Sequence, residues 1–232
     1  MFSYYGSKSK IVGCYPYPKH DKIIEPFAGS ARYSLKHFEK DILLVDKYEV
    51  IVKIWHYLQA ASEQDIMKLP RLKRGDNLEQ FNLSEEEKLF VGMWAGAAST
   101  QPRNKVSPQG ARNYETTPHL YRNVARQLFK IKHWVIKLDD YRNIKNVEAT
   151  WFIDPPYEFG GRAYKENDID YKSLAKWSRS RNGQIIVCEN SKASWLPFKQ
   201  MAVIQGSANS FTTEAIWSNQ PTVFDIEQIP LF

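Results

Sequence analysis

Asp154-Pro155-Pro156-Tyr157 directly follows the apolar run Thr150–Ile153 (TWFI). A carboxylate, two prolines and an aromatic ring in this order make a stiff polar loop, because proline fixes its backbone and removes N–H donors. The C-terminal edges of strands are where open α/β sheets hold ligands. The plain alternative is a proline-stiffened turn after a core strand. Two further spots have the same character. Phe27-Ala28-Gly29-Ser30 follows a short apolar run, Lys22–Pro26 (KIIEP), and Gly29 has no Cβ to keep the backbone from a ligand. Asp46 closes a second run, Asp41–Val45 (DILLV), where an acid accepts from ribose hydroxyls in dinucleotide-binding folds. Phe27 also suits an ordinary core, and Asp46 an ordinary loop before a helix.

The elements that would position these residues are legible from spacing. The runs at 22–26 and 41–45 read as strands, with helices after them over about 33–38 and 49–61. Val50, Ile54, Tyr57 and Leu58 give the second helix its 3.6-residue period. Strand–helix–strand–helix is the start of a doubly wound α/β sheet. In the middle, Ser84-x-x-Glu87 forms a capping box that predicts a helix over about 85–98. Residues 99–117 read as a polar loop with two prolines and a glycine. Thr117-Pro118 then opens a helix with Leu120, Val124, Leu128 and Ile131 on one side and Arg122, Arg126, Lys130 and His133 on the other. Strands return at 134–138, 150–153, 184–187, 202–205 and 214–217, with a helix at 170–180. The expected fold is therefore α/β. Residues 1–61 and 134–232 form a Rossmann-like catalytic domain, and 62–133 a small, mainly helical and basic insertion.

Composition narrows the class. The chain has 232 residues, enough for one domain with an insertion. No apolar run reaches about 18 residues, and MFSYYGSKSK has no signal-peptide core, so no transmembrane helix and a cytoplasmic location are expected. Two cysteines, Cys14 and Cys188, make no disulfide framework, and the scattered His and Cys residues lack zinc spacing. No metal is expected. The net charge is +6, and residues 95–137 alone carry eight cations against Glu115, a net +7. A basic segment on an otherwise near-neutral chain suits a polyanion, or simply a solvated face.

Taken together and in order, these residues resemble the Dam-like class of S-adenosylmethionine-dependent DNA N6-adenine methyltransferases. Tyr4-Tyr5-Gly6-Ser7-Lys8 is similar to the class's N-terminal Tyr/Trp-x-Gly-Gly-Lys element. Glu25–Ser30 resembles its Phe-x-Gly cofactor loop, with Ala31 where the last glycine usually stands. Asp46, Asp140-Tyr141 and Asp154–Tyr157 fall where the class has its ribose acid, its adenine-side pair and its DPPY loop. The resemblance implies S-adenosylmethionine held by Tyr4, Lys8, Phe27, Ala28, Gly29, Asp46, Asp140, Tyr141 and Asp154, with Asp139 a competitor for the role of Asp140. It implies catalysis by Asp154, Pro155, Pro156 and Tyr157. The Asp154 carboxylate and the Pro155 carbonyl would accept the amine hydrogens of an adenine flipped out of double-stranded DNA, and Tyr157 would offer it a stacking face. The class's target-recognition region falls on the basic stretch. Arg122, Arg126 and Lys130 then become candidates for phosphate contacts, and Arg103, Lys105 and Arg112 for the groove. The loop 160–165 would close over the base. So small a region predicts short or relaxed sequence recognition. An RNA adenine or a cytosine N4 amine as substrate, or an inactive DNA-binding relative, remain alternatives. The oligomeric state is not legible.

Overall fold

The computed structural model describes residues 1–96, 99–116, 119–205 and 211–222. Its strands are β1 (Lys22–Glu25), β2 (Asp41–Asp46), β3 (Val135–Leu138), β4 (Ala149–Ile153), β5 (Gly183–Asn190), β6 (Lys199–Gln205) and β7 (Phe211–Ser218). They form one seven-stranded sheet in the order β3-β2-β1-β4-β5-β7-β6. The strands β1 to β5 pair parallel, while β7 runs antiparallel between β5 and β6. This is the doubly wound, Rossmann-like sheet that the sequence predicts.

Parallel strands buried on both faces show no polar alternation, and successive side chains feed two separate cores. Ile23, Phe152, Ile186 and Cys188 join one cluster, which also takes in Tyr33, Trp55 and the apolar side of α2 (Glu49–Ala60). Ile24, Trp151, Ile153, Ile185 and Val187 face the other, under α7 (Tyr171–Arg179). Tyr33, on the short α1 (Arg32–Lys36), stacks on Phe152 at 4.3 Å between ring centres. The chain moves outward from β1 to β3 and then returns to place β4 on the other side of β1. The β1/β4 boundary is therefore a topological switch point, where the loops diverge and leave a crevice.

The middle of the chain departs from the sequence reading. The capping box at Ser84 forms as expected and opens α4, but the helix spans Glu85–Gly92 rather than reaching 98. The reason is a close crossing: Arg103 N–H donates to the Gly92 carbonyl at 3.1 Å, and a Cβ on Gly92 would meet the Pro102 side chain at 2.9 Å. Ala97 lies outside the described residues. Much of the expected loop over 99–117 is a helix, α5 (Pro108–Thr116). Ser107 Oγ accepts from the Gly110 N–H, and proline at the first helical position lacks only an N–H the helix does not use. A short α3 (Glu63–Lys68), with its own Ser62/Asp65 capping box, was not anticipated. The Thr117-Pro118 start lies outside the described residues. The helix after it is α6 (Leu120–Ala125), followed by a 3-10 turn at Leu128–Ile131. No helix among the described residues is long and apolar enough to cross a membrane.

Candidate active site

The crevice at the switch point is an open cleft with a volume of about 240 Å³. The ends of β1, β2 and β4, the segment after β3 and the N-terminal residues Tyr4–Lys8 all line it.

One part suits a planar ring on a diol. Phe27 and Tyr141 stand 5.3 Å apart, tilted by 36°, and both line the cleft. Asp46 accepts from Gly29 N–H at 3.0 Å and Tyr48 N–H at 2.9 Å, so the loops after β1 and β2 are tied together through one carboxylate. Each carboxylate oxygen retains acceptor capacity. Burial raises its pKa to about 6, against the pull of those N–H groups. Gly29 has φ +43°, and a Cβ there would meet the Tyr4 ring at 3.3 Å. Its missing side chain is thus what lets Tyr4 and the loop share the wall. Ala28 is buried, its N–H on the Val45 carbonyl. Of the two adjacent acids, Asp140 lines the cleft, whereas Asp139 accepts locally from Asp140 N–H and Asn143. Asp140 is itself held by Arg142, at 2.7 Å on each oxygen, which depresses its pKa.

The other part is charged. Asp154 lines the cleft at the end of β4, and the Lys8 ammonium stands 2.9 Å from its Oδ1. Burial would lower the Lys8 pKa, but Asp154 and Glu214 outweigh it and hold the ammonium charged. Glu214, on β7, lies 3.8 Å from Lys8 and accepts from the Tyr157 hydroxyl at 2.5 Å and the Tyr15 hydroxyl at 2.7 Å. Lys8 also covers the Tyr157 ring at 4.6 Å. Tyr157 is therefore held next to Lys8 and Glu214, with a cation on one ring face, and Tyr164 is among the aromatic rings that line the cleft. Pro155 and Pro156 are buried, and Pro156 accepts from the Tyr171 hydroxyl through its carbonyl. Glu25 is buried beside them, accepts from Ser34 N–H at 2.7 Å, and is pushed up to about 8 by burial.

Arg32 and Glu214 were not anticipated, and Glu25 and Tyr164 were read only as members of a motif and a loop, without a role of their own. The two glutamates had one signal, a single acid inside an apolar strand. Tyr164 had none beyond its place in the loop expected to close. That loop carries a 3-10 turn at Gly161–Ala163, and Tyr164 donates to the Tyr5 carbonyl at 3.1 Å.

The basic segment is divided. The Ser99 carbonyl accepts from Tyr5 N–H, and Thr100 donates to the Ala163 carbonyl, so the stretch leading to Arg103 is tied to the cleft mouth. Arg103, Lys105 and Arg112 are exposed. Arg122 on α6 and Arg126 just past its end are exposed, and α6 packs against α3, which follows α2 in the chain. Lys130 lies over the Phe38 ring at 4.8 Å, close to where β2 begins. That is the strand-start edge, opposite the cleft, so the structure does not bring Lys130 to the site.

No family model and no curated protein matches the chain. Among solved structures it is similar to the candidate methyltransferase yhhF of Escherichia coli, with a TM-score of 0.33, 10% identity, and 84% of this chain and 74% of that one covered. It is also similar to a conserved hypothetical protein of Streptococcus pyogenes, with a TM-score of 0.33, 8% identity and 86% of each chain covered.

Proposed function

We propose that this protein is an S-adenosylmethionine-dependent methyltransferase acting on the N6 amine of adenine in DNA. The observation that carries this reading is Asp154. It is a cleft-lining carboxylate on a two-proline loop at the switch point, and Lys8 engages its Oδ1. The residues present suit the cofactor. Asp46 can accept from ribose hydroxyls, and the Phe27 and Tyr141 rings, both on the cleft wall, can pack against an adenine. When bound, the cofactor supplies the electrophilic methyl group.

An exocyclic amine is a poor nucleophile because its lone pair is delocalised into the ring. In this reading Asp154 and the Pro155 carbonyl each accept one amine hydrogen, which draws the nitrogen toward tetrahedral geometry and frees the lone pair. Lys8 fixes the carboxylate's orientation, and Glu214 holds Tyr157 and Lys8 in place. The adenine must leave the duplex stack to reach this site. Tyr164 and Tyr5, at the mouth, offer ring faces to it. Residues 62–133, with Arg103 nearest the mouth, would meet the DNA backbone.

The test is transfer of labelled methyl to DNA, with modified bases mapped at single-nucleotide resolution. We expect N6-methyladenine with the native chain and a loss of at least about 100-fold with Asp154→Ala, in a chain that still folds by circular dichroism. Near-native turnover by that variant, or label found only in RNA or on cytosine, would overturn the assignment.

A further inference from the structure

Among the described residues, Arg32 is the cleft-lining cation that lacks a counter-charge. It lines the cleft and is half-buried. Its Nε donates to Ser7 Oγ at 3.0 Å and its Nη2 to the Phe2 carbonyl at 2.9 Å, both neutral oxygens. No carboxylate of a described residue lies within ion-pair distance of it, whereas Lys8, one residue beyond Ser7, has two. Burial accordingly lowers its pKa with no acid to offset the effect. A guanidinium partly withdrawn from water without a counter-charge is costly, and an anion in the cleft would offset that cost. The guanidinium offers five N–H donors in a planar fork, of which neutral oxygens occupy two.

Its place says which anion. Ser7 links Arg32 to Ser30, through a 3.2 Å hydroxyl contact, and leads directly to Lys8 and Asp154. Arg32 thus belongs to the charged part of the cleft, while Phe27, Tyr141 and Asp46 make the part suited to a nucleoside. A ligand that puts adenosine there and its sulfonium near Asp154 must send its amino-acid arm toward Ser7 and Arg32. We propose that Arg32, with the Ser7 and Ser30 hydroxyls, binds the carboxylate of that arm. This rests on the S-adenosylmethionine reading above and assigns the residue that distinguishes the cofactor from adenosyl compounds without a carboxylate.

The experiment is calorimetric titration of the native chain and of Arg32→Gln with S-adenosylmethionine and with decarboxylated S-adenosylmethionine, which differ only in that group. The native chain should prefer the carboxylate form by about tenfold or more. Arg32→Gln should lose that preference, binding S-adenosylmethionine about tenfold more weakly and the decarboxylated compound almost unchanged. Should Arg32→Gln fail to fold, Arg32→Lys takes its place: it keeps the charge, loses the fork, and should narrow the preference. Equal weakening for both compounds would mean that Arg32 only holds the N-terminal residues in place, and would overturn the proposal. So would a native chain that binds both equally, which leaves the cofactor reading standing. A native chain that binds neither compound would overturn both.

Discussion

Two acids that line the cleft, Asp46 and the buried Glu25, are separated by pH. Asp46 has a pKa raised to about 6, so it is ionised at neutral pH and protonated below. As an anion it is acceptor-only; once protonated it gives up one acceptor position. Adenosyl-ligand affinity should hold steady above about pH 7 and fall as pH drops through 6. Asp46→Ala should bind about tenfold more weakly and flatten that profile, as calorimetry from pH 5 to 8 would read. Glu25 is pushed up to about 8 from an ordinary 4.5. Between those values the unfolded chain is ionised while the folded one keeps its proton. Folding stability is therefore lost as pH rises through this window, by at most about 1.4 kcal/mol per unit. Glu25→Gln cannot titrate, so its stability relative to the native chain should climb from pH 5 to pH 8 and then level off. Parallel urea midpoints for the two chains across that range would count against a buried, protonated Glu25.

At the scale of elements, the loop between β1 and α1 shows how a local departure is tolerated. Ala31 adopts φ +43°, ψ +48°, the left-handed region, where the resembled class usually has glycine. Alanine spends about 1–2 kcal/mol there, while glycine would lose more chain entropy on folding, roughly 0.5–1 kcal/mol. Ala31→Gly should therefore stabilise the chain by up to about 1 kcal/mol in urea denaturation. A destabilised variant would show the turn to be unstrained. The strand β7 illustrates the opposite case, an element that matters for what it delivers. Inserted antiparallel beside β5, it puts Glu214 level with Asn190 and under the Tyr15 and Tyr157 hydroxyls.

Across the whole molecule, charge and cleft are arranged unevenly. The stretch before Arg103 is tied to the cleft mouth through Ser99 and Thr100, while Lys130 sits by Phe38 at the other edge of the sheet. If DNA enters at the mouth, Arg103→Ala should weaken DNA binding several-fold and lower the slope of affinity against salt by about one. Lys130→Ala should change neither. Equal effects from the two variants, measured by fluorescence anisotropy over a salt series, would show that the DNA-binding face is not at the mouth.

The sheet was legible because its strands are short apolar runs closed by Glu25-Pro26, Asp46 and Asp154, and its main helices carry a 3.6-residue period. Those are local properties, set by burial of alternate side chains on two faces. The cleft-lining residues after β1, β2 and β4 were legible for the same reason, since strand ends in a doubly wound sheet must converge at the switch point. What the tertiary structure decided is everything that depends on a crossing of distant segments. The α4 helix stops at Gly92 because Arg103 takes its carbonyl. Ser107-Pro108 starts a helix rather than a turn, on the same cap chemistry that was recognised at Thr117-Pro118. Tyr157 is fixed in place because Glu214, 57 residues away, accepts from its hydroxyl and Lys8 covers one face of its ring. The basic residues, contiguous in sequence, part company because α6 packs against α3 while Lys130 lies over Phe38. A partner's position in space has no trace in local spacing, so the lone carboxylates Glu25 and Glu214 and the uncompensated Arg32 acquire meaning only once the sheet has assembled around them.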